Sequence, residues 1–185
     1  SEYQFDLIAS VAGAVEKGIS MNSLEDTVNF VLDEADKAVE AHNVYGVTKA
    51  LAEHLVISGN ARSYPAGLRM AVLRYGNVLG SRGSVVPVWQ RQVREGQSVQ
   101  VSHPDMTRFW MTLGDAVDYV MEALGDLRGG EVFVPKLQAA PILTLAHALG
   151  ADAVTFTGIR PGGEKMHESL MSAAEVARAV DRNGF

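Results

Sequence analysis

The sequence has no cysteine. That absence excludes a disulfide framework and any thiolate metal site, and it fits an intracellular protein. No run reaches the roughly 18 consecutive apolar residues that a membrane-spanning helix requires. The opening "SEYQFDLIAS" also lacks the basic start of a secretory signal, so a cytoplasmic, soluble protein with no membrane span is expected. Positive charge is scarce as well. Sixteen Lys and Arg stand against 22 Asp and Glu, a formal net charge of −6, which is the wrong balance for tracking a phosphate backbone and excludes nucleic acid as the expected partner. The five histidines form no recognisable metal-ligand spacing, and no metal is expected. What is present is ordinary for a folded globular chain: 47% hydrophobic and 21% charged residues over 185 positions, enough for a real core.

Strands alternate with helices along the chain. Leu7, Ile8, Val11, Ala14 and Val15 recur at helical spacing and predict a helix over about residues 4 to 17. "TVNFVL" (27 to 32) is β-prone. "VYGVTKALAEHLVI" then reads as a helix with Val47, Ala50, Leu51, His54 and Leu55 along one side. "LRMAVLRYGNV" (68 to 78) is a nearly continuous apolar strand of the kind buried on both faces in a parallel sheet. Gly80, Gly83 and Pro87 mark a loop, and "VPVWQRQVREG" is a short helix candidate ending at Gly96. "QSVQVS" is a strand candidate. Thr112 followed by Asp115 resembles a capping box ahead of a stripe of Val117, Val120, Met121 and Leu124. "GGEVFVPK" and "AVTFTG" are further strands, "ILTLAHALG" a helix closed by Gly150, and "SAAEVARAV" a last helix. The alternation predicts an α/β fold with a mostly parallel sheet.

The densest chemistry lies in "DKAVEAHNVYGVTKALAEH", residues 36 to 54. Tyr45 and Lys49 are four apart on one helix and share a face, so the Lys49 ammonium can favour the phenolate of Tyr45 and let it serve as acid or base. Taken alone, Tyr-x-x-x-Lys recurs in many helices. Asp36-Lys37 falls near the end of the preceding strand, and in parallel sheets the strand carboxyl ends are where ligands bind. A solvated turn with an ordinary Asp and Lys is the other reading of that pair. "RYGNVLGSRGSVVP" places Asn77, Arg82 and the backbone of Gly80 to Gly83 after a strand, a place suited to an anionic diphosphate, or else a plain Gly-rich loop. Arg108 in "MTRFW" and Arg160 in "GIRPGGEK" offer forks that fit phosphate, or serve as ion-pair partners. Trp110 and Met111 read as packing residues.

Five ordered motifs, "DKAVEAHNVYGVTKALAEHLV", "LRYGNVLGSRGSVVPVW", "DMTRFWMTLGDAVDYVMEAL", "GGEVFVPK" and "GIRPGGEKMHESL", carry a strong resemblance. Together they resemble the inverting UDP-N-acetylglucosamine 4,6-dehydratases of the CapD-like polysaccharide-biosynthesis branch of the extended short-chain dehydrogenases/reductases, over about residues 36 to 172. The resemblance implies a Rossmann-like, mostly parallel sheet, NADP as cofactor and a UDP-sugar as substrate. It implies that Tyr45 and Lys49 handle the C4 hydroxyl proton beside the cofactor, that Lys37 removes the C5 proton, and that Asp36 helps the C6 hydroxyl leave. Asn77, Arg82, Val85, Pro87 and Trp89 would line the nucleotide-sugar site, with Arg108 and Arg160 on diphosphate or uridine.

The sequence departs from that pattern in three places. Nothing in residues 1 to 35 matches Gly-x-x-Gly-x-x-Gly, so the chain is expected to start inside the fold, lacking its first βαβ units and the turn that cradles the cofactor pyrophosphate. Ala35 stands where the resembled family carries Thr before Asp-Lys, and "RPGGEK" has one Gly more than the family's "RPGEK". The expected organisation is residues 1 to 80 as the later half of the cofactor domain with the catalytic residues, and 81 to 185 as a substrate-binding region interleaved with the last Rossmann elements. A homo-oligomer, or a partner chain supplying the missing half, is the expected assembly. A nucleotide-sugar epimerase and a non-catalytic nucleotide-sugar-binding or subunit-pairing module are the alternatives.

Overall fold

In a computed structural model the protein is described at residues 28–34, 39, 44–63, 69–81, 84–162 and 164–182. The predicted helix over 4 to 17 lies outside them, as do Asp36, Lys37, Arg82 and Ala35.

β1 (Val28–Glu34) runs parallel to β2 (Arg69–Tyr75) in a seven-residue register from Val28 opposite Arg69 to Glu34 opposite Tyr75. Between them the chain makes α1 (Val44–Ser63). A parallel pair needs such a crossover, because a tight turn can only return the chain antiparallel. On its other edge β2 pairs in parallel with β6 (Val132–Phe133). Ala71 through Tyr75 are all buried, the continuous burial expected of a central parallel strand.

The long apolar run that the sequence predicts as one strand is two. β2 ends at Tyr75, and β3 (Asn77–Val78) belongs to another sheet, parallel to β5 (Thr107–Met111), which in turn pairs antiparallel with β7 (Ala139–Pro141). Gly76 is the hinge. A Cβ there would lie 2.8 Å from the Phe109 carbonyl oxygen and 2.8 Å from Leu137 Cδ1, so only glycine lets the chain cross from one sheet to the other at this closeness.

α2 (Val85–Arg94) follows, then β4 (Val99–Val101), which pairs in parallel with β8 (Val154–Phe156). Pro87, expected where the loop passes into the helix candidate, lies in the first turn of α2, where its missing N–H costs no intrahelical bond. Gly96 closes this stretch at φ +66°. α3 (Leu113–Asp126) begins with a complete capping box: Thr112 Oγ1 accepts from Asp115 N–H, and the Asp115 carboxylate accepts from Thr112 N–H. Its buried stripe, Ala116, Tyr119, Val120 and Ala123, is one position off the apolar stripe expected from the sequence and packs on β2 with Leu73, Met111 and Phe133. α4 (Ile142–Ala148), closed by Gly150 at φ +84°, contributes Ala146 to a second core with Trp89, Val99, Val101 and Ala151. α5 (Ala173–Val176) is one turn with its own Ser172/Glu175 capping box.

α1 buries a different face from the one its apolar pattern predicts. Val47, Leu51 and Leu55 are exposed, while Gly46, Glu53 and Asn60 face inward at a spacing of seven. Polar residues can occupy that face because each is satisfied there. Asn60 Oδ1 accepts from Met70 N–H at 2.9 Å, and Glu53 is paired with Arg74.

Candidate active site

Tyr45, Lys49 and Glu53 succeed one another at four-residue intervals along α1. The Tyr45 end is open: the residue is 51% exposed, and the Lys49 ammonium sits 5.7 Å from its ring centroid. The Glu53 end is closed. Arg74, from the middle of β2, donates from Nε and Nη2 to the two Glu53 oxygens at 2.9 and 2.7 Å, with both side chains almost wholly buried. A forked pair of this kind fixes both the rotation and the height of the helix that carries Tyr45 and Lys49.

Arg74 does more than hold α1. Its Nη1 and Nη2 also donate to Glu175 at 3.2 and 2.8 Å, and Nη1 to the Leu170 carbonyl at 2.9 Å. Burial alone would lower the guanidinium pKa, but the bonds to Glu53 and Glu175 outweigh it and raise it above the ordinary value. Burial likewise acts to raise Glu175, yet hydrogen bonds from Arg74 and Ser172 hold its pKa down to about 2. Two carboxylates from opposite ends of the sequence thus share one buried cation.

The segment leading to Glu175 gathers the other polar side chains. Lys165 Nζ donates to the carbonyl of Val39, two residues beyond Lys37. The Met166 carbonyl accepts from Thr107 N–H, and His167 Nδ1 lies 2.9 Å from Thr107 Oγ1. Glu168 joins two residues that the sequence reading put on the substrate: Oε1 pairs with Arg108 Nε at 2.7 Å, and Oε2 accepts from Asn77 Nδ2 at 3.0 Å. Arg108 also donates to the Thr107 carbonyl at 2.7 Å. Here it is a held ion-pair partner, its side chain only 12% exposed.

Arg160 stands apart. Its side chain is 80% exposed and tied to Glu164, with Nη2 to Oε1 at 2.8 Å and its own N–H to Oε2 at 2.8 Å. Burial would raise Glu164, but bonds from Arg160 and from Ser102 Oγ keep its pKa lowered. Of the "VVPVW" residues, Trp89 is buried in the second core and spends its indole N–H on the Gln100 carbonyl, Val85 packs against the same core, and Pro87 is exposed. Among the described residues no cluster of His, Asp or Glu is built to hold a metal.

The apolar pattern missed Glu53, Arg74, Glu168 and Glu175. A signal for Arg74 did exist, since a lone charge inside "AVLRYG", a strand buried on both faces, requires a buried counter-charge. Glu53 repeats the Tyr45–Lys49 spacing once more. Glu168 and Glu175 carry no such mark.

A model of the polysaccharide biosynthesis protein family matches residues 6–185. UDP-glucose 4-epimerase of Rickettsia typhi is 37% identical over 188 residues, covering 99% of this chain and 55% of that protein. The inverting UDP-N-acetylglucosamine 4,6-dehydratase of Campylobacter jejuni is 41% identical over 140 residues, 75% of this chain and 42% of that protein. The chain thus spans about half the length of the curated relatives it matches. Among solved structures, Pen from Bacillus thuringiensis superposes with a TM-score of 0.75 at 32% identity, over 85% of this chain and 49% of that one. DesIV, a dTDP-glucose 4,6-dehydratase from Streptomyces venezuelae solved with NAD and TYD bound, superposes with a TM-score of 0.63 at 18% identity, over 82% and 52%, a likeness of fold.

Proposed function

We propose a nucleotide-sugar 4,6-dehydratase on the premise that the chain belongs to the polysaccharide biosynthesis protein family, within the nucleotide-sugar dehydratases and epimerases. The observation that carries this reading is Tyr45 and Lys49 together on the open end of α1, with Asp36-Lys37 in sequence just ahead of them. The substrate in this reading is UDP-N-acetylglucosamine, the product a UDP 4-keto-6-deoxy sugar inverted at C5.

The half-exposed phenol and the adjacent ammonium are donors suited to a cofactor's ribose hydroxyls. A nicotinamide cofactor, NADP in this reading, supplies the hydride acceptor for C4 and the hydride that C6 later receives. The Tyr45 oxygen takes the C4 hydroxyl proton, and Lys49 steadies the charge that forms there. With C4 a ketone, the C5–H is acidified, and Lys37 removes that proton. Asp36 protonates the departing C6 hydroxyl, which leaves as water. Return of a proton to C5 from the opposite face gives the inversion.

Ala35 and the unmatched glycine fingerprint bear on how tightly this chain holds substrate and cofactor by itself. Calorimetry on the 185-residue chain tests the reading: it expects UDP-N-acetylglucosamine to bind, and Tyr45→Phe to bind it with little loss. Absence of nucleotide-sugar binding contradicts it. Binding of the nucleotide sugar without NADP points instead to a binding module. A UDP-glucose 4-epimerase is the second reading, favoured by the Rickettsia relative's match over nearly the whole chain. It uses Tyr45 and Lys49 and gives Asp36 and Lys37 no role.

A further inference from the structure

Asn77 sits immediately after the Gly76 hinge, and its side-chain amide is fully committed on one side. Nδ2 donates to the Phe109 carbonyl oxygen at 3.2 Å and to Glu168 Oε2 at 3.0 Å. A peptide carbonyl and a carboxylate oxygen are both acceptors, so the amide nitrogen must be the atom that faces them, and its two hydrogens are both spent. The other end of the amide is open. Oδ1 has no partner among the described residues, and Asn77 is only partly buried.

Glu168 has little freedom to change that arrangement. Its side chain is 4% exposed, and its second oxygen is held at 2.7 Å by Arg108 Nε. Arg108 is itself braced by the Thr107 carbonyl at 2.7 Å. The chain of constraint therefore runs from β5 through Arg108 and Glu168 to the amide of Asn77.

We infer that Glu168 is a positioning residue that sets the hydrogen-bond polarity of the nucleotide-sugar site, leaving Asn77 able to accept from a ligand and unable to donate to one. A phosphate oxygen, an acceptor, gains nothing from such a group, whereas a sugar hydroxyl or an amide N–H does. The partner of Asn77 is then the sugar and not the diphosphate that the motif's position in the sequence suggests. This inference rests on the nucleotide-sugar reading above for its ligand class, while the orientation of Asn77 stands on geometry alone.

Glu168→Gln tests it. Glutamine keeps the volume but has one acceptor; with that turned to Arg108, its NH2 faces Asn77 and forces the Asn77 amide over. Calorimetry with UDP and UDP-N-acetylglucosamine on the 185-residue chain should show the wild type preferring the sugar nucleotide. Glu168→Gln should shrink that preference about tenfold, the worth of a hydrogen bond lost and a polar mismatch gained, with affinity for UDP holding or rising. A merely structural Glu168 would weaken both ligands alike, and an unchanged ratio overturns the inference. A second readout needs no ligand: both Asn77 side-chain NH2 protons should exchange slowly with water in the wild type and quickly in Glu168→Gln. Fast exchange in the wild type overturns the assigned polarity. Slow exchange in a chain that binds neither nucleotide upholds the orientation of Asn77 but overturns the sugar as its ligand, and it is then the nucleotide-sugar reading that has failed.

Discussion

Gly76 shows how one residue decides which sheet a stretch of chain belongs to. It sits in a mostly apolar run, so "LRMAVLRYGNV" is legible as strand from end to end. The break is not legible, because it depends on Phe109 and Leu137, which are distant in sequence. Gly76→Ala places a methyl 2.8 Å from a backbone oxygen that cannot step aside. It should cost about 1–3 kcal/mol, read as a lower urea midpoint at unchanged slope. Thr112 is the opposite case, a cap whose partner is three residues away and which the sequence therefore shows. Hydrogen bonds from the Thr112 side chain and N–H lower the Asp115 pKa. Thr112→Ala should destabilise the chain by about 1 kcal/mol and move Asp115 back toward an ordinary carboxylate in an NMR titration.

At the scale of elements, α1 is where the apolar pattern and the structure part company. Helical periodicity located the helix correctly and named the wrong face, because the inward positions are Glu53 and Asn60 and not hydrocarbons. A pattern counted in apolar residues cannot register a buried ion pair. Arg74→Leu would leave Glu53 buried without its cation and free the segment around Leu170 and Glu175 together. The expected loss is about 3–5 kcal/mol, and Glu53→Gln combined with Arg74→Leu should recover part of it. Glu175 gives the same clamp a pH signature. Its folded pKa of about 2 is depressed below the ordinary 4.5, so its contribution is complete above about pH 4.5 and is lost as pH falls through about 2. In Glu175→Gln, chemical denaturation between those limits should depend less on pH than in the wild type.

For the whole molecule, the alternation of strands and helices was enough to predict an α/β fold with mostly parallel pairing, and the solved structures of like fold agree with it. Two short strands, β5 and β7, escaped notice: "TRFWM" sits inside a motif that invites reading as chemistry, and Ala139–Pro141 has almost no strand character. A fixed local spacing was legible, as with Tyr45 and Lys49, which do share one face of α1. The meeting of residues far apart in sequence was not, as with Glu168 joining Asn77 to Arg108. Asp36, Lys37 and Arg82 lie outside the described residues, so their roles rest on the family and on experiment.

In the proposed dehydratase, elimination across C5 and C6 follows oxidation at C4. The most direct measurement is mass spectrometry of the product formed from UDP-N-acetylglucosamine and NADP. A dehydratase gives a species lighter by one water, and Lys37→Met should abolish it. A product of unchanged mass inverted at C4, formed equally well by Lys37→Met, would contradict the dehydratase and establish the epimerase in its place.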